Sequence, residues 1–181
     1  MSAGYQRLGD VAEVPCLVQQ MSVRTMIVDI EPLIAPWYGG QDALDQGLAR
    51  FVDRVSSIET VAVICFATNS ARVPGALPEA PGIRIEYLAS ARKPLRTAPF
   101  SAMPLPGVVI GDQVATDGVL AKRIGYTFLH YRRKLSDMPP RPRILSAGGE
   151  ILRPLLFRQS QSDTRAGRRP RRTPSTLPCG R

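Results

Sequence analysis

Five short and nearly continuous aliphatic runs constrain the fold of this chain more than any other feature of its sequence. Each is four to eight residues long and lacks the strict alternation of apolar and polar side chains that marks a strand with one wet face. Such runs, separated by amphipathic stretches, predict an α/β domain in which about five parallel strands are joined by crossover helices. The predicted strands are residues 23–30, 60–67, 83–88, 107–110 and 126–130.

The spacing of apolar residues between these runs predicts three helices. In residues 44–55 apolar side chains recur at intervals of three and four, with charged side chains on the opposite side. Residues 113–124 have a similar pattern and are followed by Gly125, a residue typical of helix C-caps. Prolines interrupt residues 93–103, so we expect only a short helix there.

The positive charge of the chain is concentrated at its C-terminal end. The formal net charge is +9, but residues 1–131 contain 11 Lys and Arg against 12 Asp and Glu. Residues 132–181 contain 13 Lys and Arg against 3 Asp and Glu. The length of 181 residues excludes a three-domain enzyme, and a hydrophobic fraction of 44% excludes wholesale disorder. Basicity is therefore a property of one segment and not of the α/β domain.

Domain boundaries follow these changes in composition. We assign residues 1–22 to an N-terminal extension, 23–131 to the α/β domain and 159–181, which are rich in Arg and Pro, to a disordered tail. Residues 132–158 form a basic amphipathic segment that either rests on an anionic membrane surface or packs back on the sheet, and the sequence leaves both open. Nucleic-acid binding ranks last, because no aromatic side chains are interleaved with the basic ones to stack bases.

The cysteines and the apolar stretches bear on the cellular location. Cys16, Cys65 and Cys179 are widely spaced and form no metal-binding or disulfide pattern, which favours a reducing compartment. The longest apolar stretches have about seven residues, far fewer than the roughly 20 that a membrane-spanning helix needs. The N-terminus has no signal-peptide pattern. We expect a cytoplasmic or membrane-peripheral protein.

Polar side chains follow the predicted strands at the points where the strands end. Asp29 and Glu31 lie at the end of the first strand, Thr68 follows the second, and two further aspartates follow the fourth; Lys93 lies in the loop after the third. Each alone could be an ordinary cap or turn residue. Together they meet at one edge of a parallel sheet, where ligands bind. Carboxylates crowded in this way need a cation, and oxygen ligands favour Mg²⁺, while a nearby lysine suits a phosphate. The two further aspartates are Asp112 and Asp117.

The order of these residues resembles the four-motif pattern of the haloacid dehalogenase (HAD) phosphatases over about residues 20–131. Finer strings are similar to the YqeG-type branch and its phosphatidylglycerophosphate phosphatase relatives, which act in phospholipid metabolism. The resemblance implies a three-layer, Rossmann-like fold of HAD type, with residues 23–131 as its catalytic domain. The strings are Trp37 after the first motif, Thr68-Asn69 followed by Arg72-Val73, Ala91-Arg92-Lys93-Pro94, and Gly111-Asp112-Gln113 with Thr116-Asp117.

The resemblance also implies roles for individual residues. Asp29 would be the nucleophile that forms an aspartyl-phosphate, which water then hydrolyses. Thr68, Asn69 and Lys93 would bind the phosphorylated substrate, and Lys93 would also steady Asp29. The Mg²⁺ ligands would be Asp29, Glu31 through its carbonyl, Asp112 and Asp117. His130, the only histidine, is predicted to be a polar edge residue and not a catalyst.

Glu31 departs from the pattern of the family. It stands where a second aspartate protonates the leaving group and activates water, and its extra methylene displaces the carboxyl by roughly 1 Å, which can lower the rate about a hundredfold. Only a short segment follows the first motif, so we expect no large cap domain. An uncapped site admits large substrates, such as a phosphorylated lipid head group, for example that of phosphatidylglycerophosphate, or a phosphoprotein; a small phosphomonoester is the remaining candidate. The alternative is a catalytically weak or inactive protein that binds a membrane or a partner through its basic C-terminus.

Overall fold

The computed structural model describes residues 4–131, 149, 153–154 and 156–157, and it contains a six-stranded, fully parallel sheet in a three-layer α/β arrangement. The strand order is β1, β6, β5, β2, β3, β4. All five predicted strands are confirmed, with ends that shift by at most three residues. The strands are β1 (Tyr5–Leu8), β2 (Thr25–Asp29), β3 (Val63–Ala67), β4 (Arg84–Leu88), β5 (Gly107–Gly111) and β6 (Thr127–Tyr131).

The sixth strand, β1, lies within the segment that the sequence analysis treated as an N-terminal extension. It pairs in parallel with β6 at one edge of the sheet. Its two central residues, Gln6 and Arg7, are exposed, so the four-residue strand contains no aliphatic run. A search for continuous apolar runs therefore did not identify this strand, because only its two end residues, Tyr5 and Leu8, are apolar.

Helices cover both faces of the sheet. On one face, α1 (Val14–Gln20) and α2 (Gln41–Val55) pack on alternate side chains of the central strands, such as Val28 and Ile110. On the other face, α3 (Ala98–Ser101) and α4 (Val119–Ile124) pack on the side chains that point the opposite way. Central strands buried on both sides explain why their sequences are continuously apolar.

The predicted helices are present, but one crossover contains none. Helix α2 spans the predicted residues 44–55, and Gly125 ends α4 with the expected left-handed conformation at φ 77°. A π-helical turn, Val114–Gly118, precedes α4. The connection from β3 to β4, residues 68–83, has no helix, so the expectation of crossover helices is wrong there. Three prolines in this connection account for the difference, because proline cannot continue a helix.

Part of the basic amphipathic segment packs on the sheet. The ring of Phe157 lies 5.2 Å from that of Tyr5 and 5.9 Å from that of Phe128, and Leu156 contacts the same apolar cluster. The guanidinium of Arg153 lies 5.9 Å from the Tyr5 ring centroid. These residues agree with the packing alternative for residues 132–158, whereas the rest of that segment and the predicted disordered tail lie outside the described residues.

Two further expectations concern a cap domain and membrane-spanning helices. The chain passes from β2 to α2 through residues 30–40, and in the described part of the chain no large cap domain interrupts the sheet. None of the helices in the described ranges has the length and apolar content that crossing a bilayer requires. Cys16 and Cys65 are both free thiols.

Candidate active site

The candidate site lies where the direction of the chain across the sheet reverses. From the central strand β2 the chain moves outward through β3 and β4, then returns to β5 on the other side of β2 and continues to β6. Loops that leave two neighbouring strands in opposite directions open a crevice at the carboxyl ends of those strands. Asp29 is the last residue of β2, and Asp112 follows the last residue of β5.

Three buried aspartates meet in this crevice. Asp29, Asp112 and Asp117 each offer a carboxylate oxygen, and these oxygens lie within 4.8 Å of one another. Burial raises the pKa of Asp29 to about 7, reinforced by the charge of Asp117 and partly offset by Lys93. Burial and the charges of Asp29 and Asp117 raise the pKa of Asp112 to about 8. A site that penalises its own negative charge in this way is suited to bind a cation.

Lys93 supplies one positive charge to this cluster. Its Nζ donates to Asp29 Oδ1 and to Asp117 Oδ1, both at 2.7 Å. Burial disfavours the ammonium, but the charges of Asp117 and Asp29 outweigh this effect and raise the pKa of Lys93 above its ordinary value. The resemblance implied the contact with Asp29, whereas the contact with Asp117 was not predicted.

A glycine and a π-helical turn bring Asp117 to the end of β5. The backbone N–H of Gln113 donates to Asp117 Oδ2 at 3.4 Å. A Cβ on Gly111 would overlap the Asp117 carboxylate, so only glycine lets this side chain pack against the strand end. The π-helical turn therefore directs Asp117, five positions after Asp112 in the chain, toward the end of β2.

The donor set fits a hard divalent cation. Both carboxylate oxygens of Asp112 are buried without a hydrogen-bond partner among the described residues, an arrangement that is costly unless a cation binds them. Asp29 Oδ2 likewise receives no hydrogen bond from any described residue. Oxygen ligands of this kind suit Mg²⁺ or Ca²⁺. The predicted ligands Asp29, Asp112 and Asp117 converge, whereas the Glu31 side chain is not in the group; its carbonyl ligation stays a prediction.

Glu31 belongs to a second polar network beside the aspartates. Thr68 Oγ1 donates to Glu31 Oε2 at 2.7 Å, and Ser70 Oγ lies 3.5 Å from Glu31 Oε1. The Arg72 guanidinium approaches Glu31 Oε1 to 3.8 Å. The glutamate carboxyl is thus held at the cavity wall by side chains of the β3 loop, next to the strand-end nucleophile candidate Asp29.

Asn69 positions the loop that carries Lys93. Its Nδ2 donates to the Lys93 carbonyl at 2.9 Å, and the Lys93 backbone N–H donates to Asn69 Oδ1 at 2.7 Å. Ser90 and Arg92 in this loop have φ values of 47° and 54°, a strained conformation for residues other than glycine. Asn69 therefore orients the catalytic-lysine candidate through its backbone, and its predicted direct contact with substrate stays a prediction.

His130 lies behind the aspartate cluster and not at an exposed edge. Its Nε2 is 3.2 Å from the Asp112 carbonyl, and the Tyr5 hydroxyl is 2.9 Å from Nδ1. A carbonyl can only accept, so Nε2 is the donor in its contact with Asp112. The non-catalytic role of His130 stays a prediction, whereas its burial corrects the expectation of a polar residue at an edge.

The candidate site lines a cavity of about 360 Å³. Asp29, Glu31, Thr68, Asn69 and Lys93 line it, as predicted from the ends of the strands. Five further lining residues had no assigned role in the sequence analysis, although they stand within the strings that carried the resemblance or beside Thr68. These are Trp37, Ser70, Arg72, Gln113 and Thr116.

Comparisons of the chain with protein-family models, with curated proteins and with solved structures find no match. The fold and the site define an α/β protein with a buried acidic cluster and one bridging lysine at a strand-end crevice. The resemblance to HAD phosphatases stays a prediction from the sequence.

Proposed function

We propose that the protein is an Mg²⁺-dependent phosphomonoester hydrolase of HAD type that acts through an aspartyl-phosphate on Asp29. One observation carries the proposal: Lys93 Nζ lies 2.7 Å from both Asp29 and Asp117, while the neighbouring Asp112 carboxylate has no partner among the described residues. Phosphoryl transfer depends mainly on positioning and charge stabilisation, which a cation and an ammonium at one cleft supply.

In the first step an Asp29 carboxylate oxygen attacks the phosphorus, and the bond between phosphorus and the leaving-group oxygen breaks. Lys93 holds Asp29 Oδ1, which leaves Oδ2 as the attacking atom. Asp29, Asp112 and Asp117 would hold the cation, which supplies charge neutralisation for the carboxylates and the phosphoryl oxygens. The leaving oxygen takes a proton from the Glu31 carboxyl, and the Thr68 hydroxyl turns from Glu31 to a phosphoryl oxygen.

In the second step water attacks the phosphorus of the aspartyl-phosphate and the Asp29–phosphorus bond breaks. The ionised Glu31 carboxylate accepts the proton of the attacking water, so the acid of the first step is restored. Phosphate and the free Asp29 carboxylate are the products. The contact of Glu31 with Arg72 supports this role, because it holds a long side chain at the cavity wall after the Thr68 hydroxyl has turned to the phosphoryl oxygen.

The proposed substrate is a phosphorylated lipid head group, with phosphatidylglycerophosphate favoured by the resemblance, or a small phosphomonoester. The short connection of residues 30–40 supports this choice, because no large cap closes the site in the described part of the chain. The proposal includes a cytoplasmic or membrane-peripheral location, supported by the basic residues between 132 and 181.

The test is phosphate release from an aryl phosphate with Mg²⁺ present. Asp29→Asn should abolish release, because the amide is a poor nucleophile, whereas Asp53→Asn on the exposed side of α2 should leave it unchanged. Glu31→Asp should raise the rate if the extra methylene is a handicap. Equal release by wild type and Asp29→Asn would contradict the proposal, and no release by wild type would favour the non-catalytic alternative.

A further inference from the structure

Asp112 differs from the other two aspartates of the cluster in how its side chain is held. Lys93 Nζ contacts the other two, at 2.7 Å each, whereas neither carboxylate oxygen of Asp112 has a hydrogen-bond partner among the described residues. No donor in the described part of the chain therefore fixes the direction of this carboxylate. Its direction depends instead on the backbone of Asp112 and on the groups that hold that backbone in place.

The side chain of His130 holds the backbone of Asp112 at the point where β5 ends. Gly111 and His130 are the last register pair between β5 and β6, and Asp112 is the next residue of the chain. His130 Nε2 donates to the Asp112 carbonyl at 3.2 Å, in a buried contact between residues 18 positions apart. A side chain of β6 thus restrains the residue with which the chain leaves β5.

The imidazole of His130 is itself held by neighbouring aromatic residues. The Tyr5 hydroxyl, on the edge strand β1, lies 2.9 Å from His130 Nδ1. The ring of Phe128 stacks on the imidazole, with 5.3 Å between the ring centroids and an angle of 21° between the planes. His130 is only 3% exposed. The position of the imidazole is therefore set before a cation binds, which lowers the entropic cost of ligation by Asp112.

This arrangement has the form of an outer-shell contact at a metal site. Groups that hydrogen-bond to ligating residues orient them, and their removal lowers metal affinity. Tyr126, at the opposite end of β6, provides a contrast within the same part of the fold. Its hydroxyl donates to the carbonyls of Met103 and Pro104, and neither belongs to the aspartate cluster. A contact of that kind stabilises the fold without bearing on the cluster.

We propose that His130 is a positioning residue for cation binding, which holds the Asp112 carbonyl so that the Asp112 carboxylate points into the aspartate cluster. The Tyr5 hydroxyl in turn holds the imidazole. This inference rests on the metal site of the proposed function, and it adds to that site two residues outside the sequence motifs. The N-terminal segment, through β1, thereby contributes to the candidate active site.

The test is the dissociation constant of Mg²⁺, measured by titration calorimetry on the folded protein without substrate. His130→Leu should raise this constant about tenfold or more, because loss of an outer-shell partner typically costs about 10- to 100-fold in metal affinity. His130→Gln should recover most of the affinity, because its side-chain amide can still donate to the carbonyl. Tyr5→Phe keeps the ring and should raise the constant about two- to fivefold, as expected for one weakened hydrogen bond.

Tyr126→Phe is the matched control, because it removes a tyrosine hydroxyl at the other end of β6 and should leave the Mg²⁺ dissociation constant unchanged. Losses of affinity in His130→Leu and Tyr5→Phe that this control lacks support the inference, even where the wild type hydrolyses no phosphate. Should His130→Leu fail to fold, Tyr5→Phe decides the question.

Three results would overturn the inference. They are wild-type affinity for Mg²⁺ in His130→Leu or Tyr5→Phe, an equal loss of affinity in His130→Gln and His130→Leu, and no binding of Mg²⁺ by the wild type. The failure of the inference is distinguishable from that of the proposed function. Phosphate release by a wild type whose Mg²⁺ affinity does not depend on His130 would leave the proposed function standing and contradict the positioning role.

Discussion

Replacing Asp112 by asparagine should make the metal-free protein more stable while removing its response to Mg²⁺. Asp112 is buried with both oxygens unpaired among the described residues, and burial, with the charges of Asp29 and Asp117, raises its pKa from 3.8 to about 8. One pKa unit corresponds to about 1.4 kcal/mol, so ionising this group costs the folded protein on the order of 5 kcal/mol. Asparagine has nearly the same shape and no charge to desolvate.

The net gain is smaller than this cost, because the amide still buries polar atoms at about 1–3 kcal/mol. We therefore expect Asp112→Asn to raise the free energy of unfolding by about 2–4 kcal/mol at about pH 8 in the absence of divalent cations. The direction of the pKa shift also determines how the stability of the protein depends on pH. An acid whose folded pKa is raised binds more protons in the folded state, so wild-type stability falls as the pH rises from 3.8 toward about 8. The variant should show a shallower fall.

Urea unfolding with a chelator, repeated with saturating Mg²⁺, measures both effects. A cation at about 100 times its dissociation constant adds about 2.7 kcal/mol to the wild type and should add little to the variant. Asp53→Asn, at an exposed position on α2, is the matched control and should behave like the wild type in both conditions. A less stable variant, or equal stabilisation of both proteins by Mg²⁺, would refute the buried-charge argument.

Two further substitutions test the neighbours of Asp112. Lys93→Met removes the ammonium from two buried ion pairs and should lower the free energy of unfolding, measured in urea, by about 3–5 kcal/mol. Lys122→Met, on the exposed side of α4, is the control and should change it by less than about 0.5 kcal/mol. Similar small effects of both substitutions would contradict the ion-pair geometry. Gly111→Ala places a methyl group against the Asp117 carboxylate and should abolish the stabilisation by Mg²⁺ that thermal unfolding measures. Gly40→Ala, where a Cβ meets nothing within 4 Å, is the control and should retain this stabilisation. Stabilisation of the Gly111→Ala variant by Mg²⁺ would show that the position of Asp117 does not depend on the glycine.

The predicted parts of the fold are those with a strong local signal. The aliphatic runs of β2, β3 and β5 are buried on both faces. Only a strand of the middle layer, covered by helices on both sides, buries every side chain of such a run. The edge strand β1 could not be predicted in this way, because its pairing with β6 joins residues such as Tyr5 and Phe128 that are far apart in the chain. Its signal is a tertiary contact and not a pattern.

The same division holds in the candidate site. Asp29, Thr68 and Asp112 could be identified because the carboxyl ends of parallel strands lie at one edge of the sheet. Residues at these strand ends therefore converge, whatever residues surround them in the sequence. The partners of each side chain could not be identified. Lys93 contacts Asp117 as well as Asp29, and Glu31 binds Thr68 and approaches Arg72, because the loops fold over one another after the strands have ended.

Local composition was thus sufficient for the parallel sheet and for the acidic and basic groups along its edge, since both follow from which stretches must leave water and where they stop. Packing of distant segments was needed to bury Asp112 without a partner, to hold Trp37 at the cavity wall and to bring Tyr5 to His130. These arrangements depend on contacts between loops from different strands, and spacing within one stretch of chain does not encode such contacts.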